Sequence, residues 1–227
     1  MLYKTRILAL AAVAAATAAF GTPTGLNNIP TAETIDHRTV AAQFFSSFGG
    51  SNQFATSGPG KTSQWAGFKT GWEFKPLHLE WGLDSPLGTG YSGPLFFQTK
   101  ARIEPWKDGM FALGVAGVAL TDTRRAGDPF TYAMFYHDFH VLRLHAGYGI
   151  QTRGNSYLFG VDRTVKVFDR NLNLNADIVQ SRNQHGVIAA LGTKYFLSKH
   201  IVLESWVNFP DRDRTSWIAK INYVFTF

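Results

Sequence analysis

The chain has 227 residues, a formal net charge of +6 and a mean hydropathy of -0.09. This small positive excess is no signature of nucleic-acid binding, so we expect no nucleic-acid partner. The sequence contains no cysteine, so no disulfide contributes to stability. After the N-terminal region there is no run of about 18 apolar residues, which excludes a membrane-spanning helix.

The N-terminus has the pattern of a secretory signal peptide. Lys4 and Arg6 form a basic region, residues 7–16 form a short apolar run, and small residues follow. The run is too short to anchor the chain in a membrane. We expect residues 1–21 to be removed by cleavage after Gly21, and no cysteine follows that would carry a lipid anchor.

Residues 22–37 have no strand pattern. We interpret them as a periplasmic N-terminal leader that tucks under or into the barrel that residues 38–227 form. Whether this leader plugs the lumen is left open by the sequence. Its stretch Ile29-Pro30-Thr31-Ala32 resembles a segment found in uncharacterised outer-membrane families.

From residue 38 onward, segments of roughly ten alternating residues are separated by turn residues, which is typical of transmembrane barrels. This pattern predicts an all-β fold, a transmembrane antiparallel up-and-down β-barrel of about 12 strands. An even number places both termini on the periplasmic side. The predicted strands lie near 38–48, 63–74, 77–83, 95–104, 110–121, 130–137, 141–151, 156–167, 171–180, 186–197, 200–209 and 215–227.

The links between these segments alternate in length. Every second link is tight, as at Lys75-Pro76 or Ser198-Lys199, and we assign these to the periplasm. The other links are mostly longer, such as 49–62 and 84–94, and we assign them to the outside of the cell. We did not use this asymmetry to place the strands, so it supports the topology.

The last strand alternates strictly. One face of it carries Ala219, Ile221, Tyr223, Phe225 and Phe227. In a soluble protein this face would make an aggregation-prone edge strand. The pattern resembles the closing strand of bacterial outer-membrane β-barrels. The resemblance implies a small porin-like barrel in the outer membrane of a Gram-negative cell, with its C-terminal strand recognised by the barrel assembly machinery.

The opposite, inward face of the predicted barrel is polar. This alternation, apolar outside and polar inside, is the inverse of a soluble barrel. One local exception is Asp162-Arg163, where we expect a β-bulge because both side chains cannot face lipid. The predicted pore-lining residues are Lys69, Glu73, Glu80, Lys100, Arg102, Glu104, Arg143, His145, Asp177, Lys194, Glu204 and Lys220.

This polar interior favours a narrow passive pore for small polar or charged solutes. The alternative is a closed structural barrel with a self-paired charged interior. Glu80 sits level with Lys100 and Arg102, and Lys194 sits level with Glu204, so opposite charges face each other across strand pairs. Bulky inward residues narrow either kind of lumen, namely Phe45, Trp65, Phe196 and Trp206.

Aromatic and arginine residues mark the two ends of the barrel. The predicted membrane-interface aromatics are Trp72, Trp106, Trp217, Tyr223, Phe225 and Phe227, with Tyr132 and Tyr157 near the outer interface. Guanidinium groups bind phosphate bidentately. We therefore hypothesise an outer rim that binds lipopolysaccharide phosphates, unless these charges pair locally, formed by Arg124, Arg125, Arg153, Arg182, Arg212 and Arg214.

A less favoured alternative is an outer-membrane lipid hydrolase, which would need a serine beside a histidine. No serine stands two residues from His78, His137 or His140, so we assign no catalytic residue and expect no enzyme. The seven histidines lack the paired spacing of a metal site, and we expect neither a metal nor a cofactor.

Overall fold

The computed structural model describes residues 24–49, 62–87, 94–121, 128–152, 154–181 and 186–227. Their regular structure is entirely β. No stretch of these residues forms a helix with the length and hydrophobicity needed to cross a bilayer. The twelve strands are β1 (Thr39–Gly49), β2 (Ser63–Phe74), β3 (Leu77–Leu87), β4 (Phe96–Trp106), β5 (Gly109–Ala119), β6 (Phe130–Asp138), β7 (Arg143–Gln151), β8 (Gly154–Val167), β9 (Arg170–Ser181), β10 (Gly186–Phe196), β11 (Ile201–Pro210) and β12 (Ser216–Thr226).

The sheet closes on itself. Each strand pairs antiparallel with its neighbours in sequence, and β1 pairs with β12 from Thr39↔Thr226 to Gly49↔Ser216. Closure leaves no unpaired sheet edge, which a bilayer requires. The predicted up-and-down barrel of twelve strands is confirmed. We call the end with the short links, where β1 starts and β12 stops, the turn end, and the opposite end the loop end.

The strand bounds agree with the prediction to within two residues except in β3, which continues to Leu87. Asp84, expected in an outer link, is therefore a fully buried residue of the strand. Pairing with β2 runs on to Gln64↔Leu87, whereas pairing with β4 stops at Asp84↔Phe96. Pro86, which has no backbone N–H, is tolerated because one side of the strand has no partner there.

The β-bulge expected at Asp162-Arg163 is wrong. β8 keeps an unbroken register with both β7 and β9. Asp162 is buried inside, and Arg163 lies exposed on the outer face, a few residues from the turn at the end of β8. A long charged side chain close to the interface reaches polar surroundings at little cost. The irregular registers lie between β4 and β5 instead.

Alternation divides the sheet into an apolar outer face and a mostly polar inner face, as predicted. On β12, Ile221, Tyr223 and Phe225 are exposed on the outside, whereas Lys220 and Asn222 are buried inside. Tyr132 is an exception to our expectation: it is buried in the lumen and not at the outer interface. β6 carries large residues on both faces, so its alternation does not reveal which face is inward.

Candidate functional site

The barrel lumen is occupied by the segment that precedes β1. Residues 24–31 form a hairpin, with hydrogen bonds from Leu26 N to Ile29 O (3.0 Å) and from Thr31 N to Thr24 O (3.0 Å). Asn27 and Asn28 make the turn, a position that asparagine favours. We call residues 24–31 the leader hairpin. The leader predicted to lie under or in the barrel is thus inside it.

The tip of the leader hairpin is held by Asp177 on β9. Its carboxylate accepts hydrogen bonds from Asn27 N (2.7 Å) and Asn28 N (2.9 Å). The Asn28 side chain also donates to Asn208 Oδ1 on β11 at 2.9 Å. Asp177 and Asn208 are both buried, so the wall satisfies backbone groups that would otherwise lie unpaired in the lumen.

The base of the leader hairpin rests on an ion pair. Glu80 Oε1 lies 3.8 Å from Lys100 Nζ, and both side chains are buried. Glu80 accepts hydrogen bonds from Thr24 N (2.7 Å) and Ile35 N (2.8 Å). Lys100 donates to the carbonyl oxygens of Thr24 (2.9 Å), Thr31 (3.0 Å) and Glu33. The opposite charges of Glu80 and Lys100 therefore balance each other, and both side chains still bind the backbone of the leader.

An apolar contact completes the docking. Leu26, Ile29 and Ala32 of the leader pack against inward residues of β5, β6 and β8. Gly160 on β8 leaves room for them, since a Cβ there would lie 2.8 Å from Ile29 Cδ1. The wall residues of this cluster are Ala112, Ala116, Tyr132, Met134, Tyr136 and Leu158.

A second charged group ties the leader to β7 and β8. Arg143 donates to Glu33 Oε1 (3.0 Å) and Asp162 Oδ1 (2.7 Å), and His145 Nε2 lies 2.7 Å from Asp162 Oδ2. Asn173 donates to the same Asp162 carboxylate. Within the described ranges, His145 has no hydroxyl partner of the kind a nucleophile–base pair needs, and no cluster of metal-ligating residues is found.

The loop end of the lumen is narrowed by aromatic rings. Phe45 stacks on Trp65 with ring centroids 5.7 Å apart, and Phe96 lies 5.8 Å from Trp65. Trp206 and Ile218 belong to the same buried cluster. Each lies within a few residues of the strand end that faces the longer links. Phe45, Trp65 and Trp206 narrow the lumen as the sequence predicted, whereas Phe196 lies at the turn end.

Several of the predicted pore-lining residues contact one another inside the barrel, whereas Glu73 and Glu104 make their ion pairs at the turn end. Glu80 and Lys100 are Cα partners, as are Lys194 and Glu204, in the pairings expected. Arg102 differs: it pairs with Glu104 at 3.0 Å and not with Glu80. Glu73 lies 3.6 Å from Lys75 at the turn end. His145 and Asp177 are buried, and Lys220 lies 3.7 Å from Glu204. That they line an open pore stays a prediction.

Of the six rim arginines, Arg124, Arg125, Arg153 and Arg182 lie outside the described residues. Arg212 Nε lies 3.7 Å from Asp211 Oδ2, and Arg214 is exposed. The predicted interface aromatics are placed on the outer face of the barrel. Trp72 is half-buried there, and the exposed ones are Trp106, Trp217, Tyr223, Phe225 and Phe227.

Sequence alone did not identify the wall residues that the leader contacts. Its hairpin contacts join residues 149 and 180 positions apart, and no local pattern marks such contacts. Asp84, bound to Gln43 and Gln98, was also missed. The continued alternation His78, Glu80, Gly82, Asp84 was the signal that would have placed it in the strand.

Comparison with solved structures shows the same fold. A KdgM porin superimposes with a TM-score of 0.58 at 9% identity, covering 82% of this chain and 99% of that one. The COG4313 outer membrane channel from Pseudomonas putida F1 gives 0.56 at 9% identity, covering 85% and 97%. A NanC porin gives 0.52 at 8% identity, covering 80% and 98%. No protein-family model and no curated protein sequence matches the chain. At these identities the likeness concerns the fold, an outer-membrane-type β-barrel.

Proposed function

We propose that this protein is a passive outer-membrane pore for small polar or charged solutes, and that the leader hairpin restricts its lumen. The observation that carries the proposal is a largely polar inner wall that holds an obstacle by non-covalent contacts alone. Asp177, Glu80 and Lys100 bind the leader without a covalent link between leader and wall. Solved structures with the same fold are described as porins and as a channel.

A second candidate is the closed structural barrel. The Glu80–Lys100 and Lys194–Glu204 pairs favour it, because carboxylates paired with lysines need no mobile counter-ion. The aromatic cluster at the loop end favours it as well, since it narrows the lumen independently of the leader. In this case the barrel conducts little whether or not the leader is in place.

Planar-bilayer recording of the purified full chain separates the two. We expect small discrete conductance steps for the natural protein. Changing Leu26→Asp together with Ile29→Asp puts charges into an apolar contact, so it expels the leader hairpin and gives larger steps. Phe168→Asp makes the same kind of change in an exposed turn and leaves the steps unchanged. Silence of both the natural protein and the leader variant would favour the closed barrel.

The same proposal includes a location for the protein in the outer membrane. Residues 1–21 direct export, and the barrel assembly machinery recognises β12 in the outer membrane. The exposed apolar band of the barrel then contacts lipid, as the alternation of β12 requires. We assign no catalytic role to the chain.

At the loop end, the rim arginines contact lipopolysaccharide phosphates. The exposure of Arg212 and Arg214 is compatible with this contact, and the short distance from Arg212 to Asp211 favours the local pairing that is its alternative.

A further inference from the structure

We infer that a cavity between the leader hairpin and strands β2, β11 and β12 is a binding site for a small organic anion carrying a phosphate or carboxylate group. The cavity measures about 440 Å³. It lies at the turn end, because its wall includes Asn171, Val202 and Val224, each close to the end of its strand there. Volumes of this order suit small-molecule ligands.

Three lysines and the carboxylate of Glu204 line one side of this cavity. Lys220 Nζ lies 3.7 Å from Glu204 Oε1, and Lys194 Nζ lies 3.9 Å from Glu204 Oε2. Asn222 donates to Glu204 at 2.6 Å, and Lys194 also donates to the Gly25 carbonyl oxygen. Lys69 is the third lysine in the wall. Among the described residues, Glu204 is the one carboxylate within 4.0 Å of any of these three ammonium groups.

Lys69 is the residue of this cavity that most needs a bound anion as a partner. It is only 7% exposed and lines the cavity, yet among the described residues it makes no hydrogen bond and no ion pair within 4.0 Å. Its Cα partners on the adjacent strands are Ala41 and Gly82, which offer no side-chain acceptor. Glu80 and Glu204 act on it only at longer range. A buried cation without a close partner is costly, and a bound anion would supply that partner.

The other charges that face the cavity lie on its far side or at its opening. Arg143, Asp162 and Glu33 bind one another on the far side. Asp36 is exposed to solvent at the turn end. The positive excess is therefore concentrated on the side formed by Lys69, Lys194 and Lys220. Ammonium groups act as point charges toward either phosphate or carboxylate, so the site selects by charge and size.

The test is isothermal titration of the full chain, refolded in a neutral detergent at constant ionic strength. Glycerol 3-phosphate and succinate are the two probes, and chloride is the background anion. We expect at least one probe to bind the natural protein, and Lys69→Met to weaken that binding about tenfold or more, the effect of losing one charged contact. Lys69→Arg keeps the charge and retains binding.

Lys166→Met is the matched control, since Lys166 is exposed at the same end of the barrel and lies outside the cavity wall. Its affinity should equal that of the natural protein. Binding of one probe alone identifies phosphate or carboxylate as the preferred group. Absence of binding for both probes, or equal affinity of the Lys69→Met protein, would overturn the inference. The titration needs no conduction, so a silent bilayer experiment leaves it unaffected.

Discussion

Lys100 holds the leader through backbone carbonyl groups, and its own charge is balanced by Glu80. The ammonium donates to Thr24 and Thr31 at 2.9 and 3.0 Å, while Glu80 accepts from the N–H groups of Thr24 and Ile35. The pair therefore offers both donors and acceptors to a segment that has no secondary-structure partner in the sheet. Removing one member leaves both the other charge and the leader carbonyls unsatisfied.

We predict that Lys100→Gln lowers the free energy of unfolding by about 3–5 kcal/mol, the usual cost of breaking a buried ion pair from one side. Glu80→Gln combined with Lys100→Gln should cost less than Lys100→Gln alone, because no unpaired charge remains. Urea unfolding in lipid vesicles measures both. Lys75→Gln, whose side chain is 87% exposed, is the control. Equal losses in the single and double variants would contradict the pairing.

Residue pairs across neighbouring strands were predictable from position. Counting inward from the periplasmic turns placed Glu80 level with Lys100 and Arg102, and Lys194 level with Glu204; the ladders show the Glu80–Lys100 and Lys194–Glu204 pairs. The same counting failed for Arg102, whose long side chain reaches Glu104 on its own strand near the turn end. The sheet sets the Cα register, whereas a flexible charged side chain can pair with any of several nearby groups.

At the scale of the element, β12 closes the barrel and exposes a row of aromatic residues. Phe225 and Tyr223 are exposed on the outer face beside β1 and β11. Strict alternation made this strand predictable, because a period of two fixes both faces at once. β6 was ambiguous for the opposite reason, since Tyr132 and Phe135 are large residues on different faces. The leader shows no alternation of apolar and polar residues, so its position in the barrel depends on tertiary contacts alone.

We predict that Phe225→Asp together with Phe227→Asp slows or prevents barrel closure. Each change removes an apolar side chain from the outer face, a loss on the order of 2 kcal/mol, and adds a charge there. The measurement is heat-modifiable migration on gels, in which a folded barrel runs differently before and after boiling. Thr226→Asp, on the other face of the same strand, should keep the shift. A full shift in the double Asp variant would rule out this role of β12.

At the scale of the whole molecule, charge and aromatic residues distinguish the two ends of the barrel. In the described residues, the link between β11 and β12 at the loop end carries Arg212 and Arg214, whereas the short links of the turn end carry Lys75 and Lys199. An outer leaflet rich in phosphate would meet the arginine end. This distribution was readable from the sequence, but the pairing of each arginine depends on loop conformation.

We predict that changing Arg124, Arg125, Arg212 and Arg214 to Gln reduces the lipopolysaccharide that copurifies with the barrel and the thermal stabilisation that added lipopolysaccharide produces. The paired control changes Lys75 and Lys199 to Gln at the turn end, and it should retain both. If the four arginine changes leave lipid retention and stabilisation as they were, the local pairing seen between Arg212 and Asp211 describes the rim.

The position of the leader hairpin in the lumen also constrains the order in which contacts form as the barrel assembles. Its tip bonds to Asp177 and Asn208, which follow Asn28 by 149 and 180 residues. These two contacts therefore form only when β9 and β11, which come late in the chain, have joined the sheet. The apolar surroundings of Leu26 and Ile29 come instead from β5, β6 and β8, which precede β9 in the chain. The contacts of this N-terminal segment inside the lumen can therefore be completed only after most of the sheet has formed.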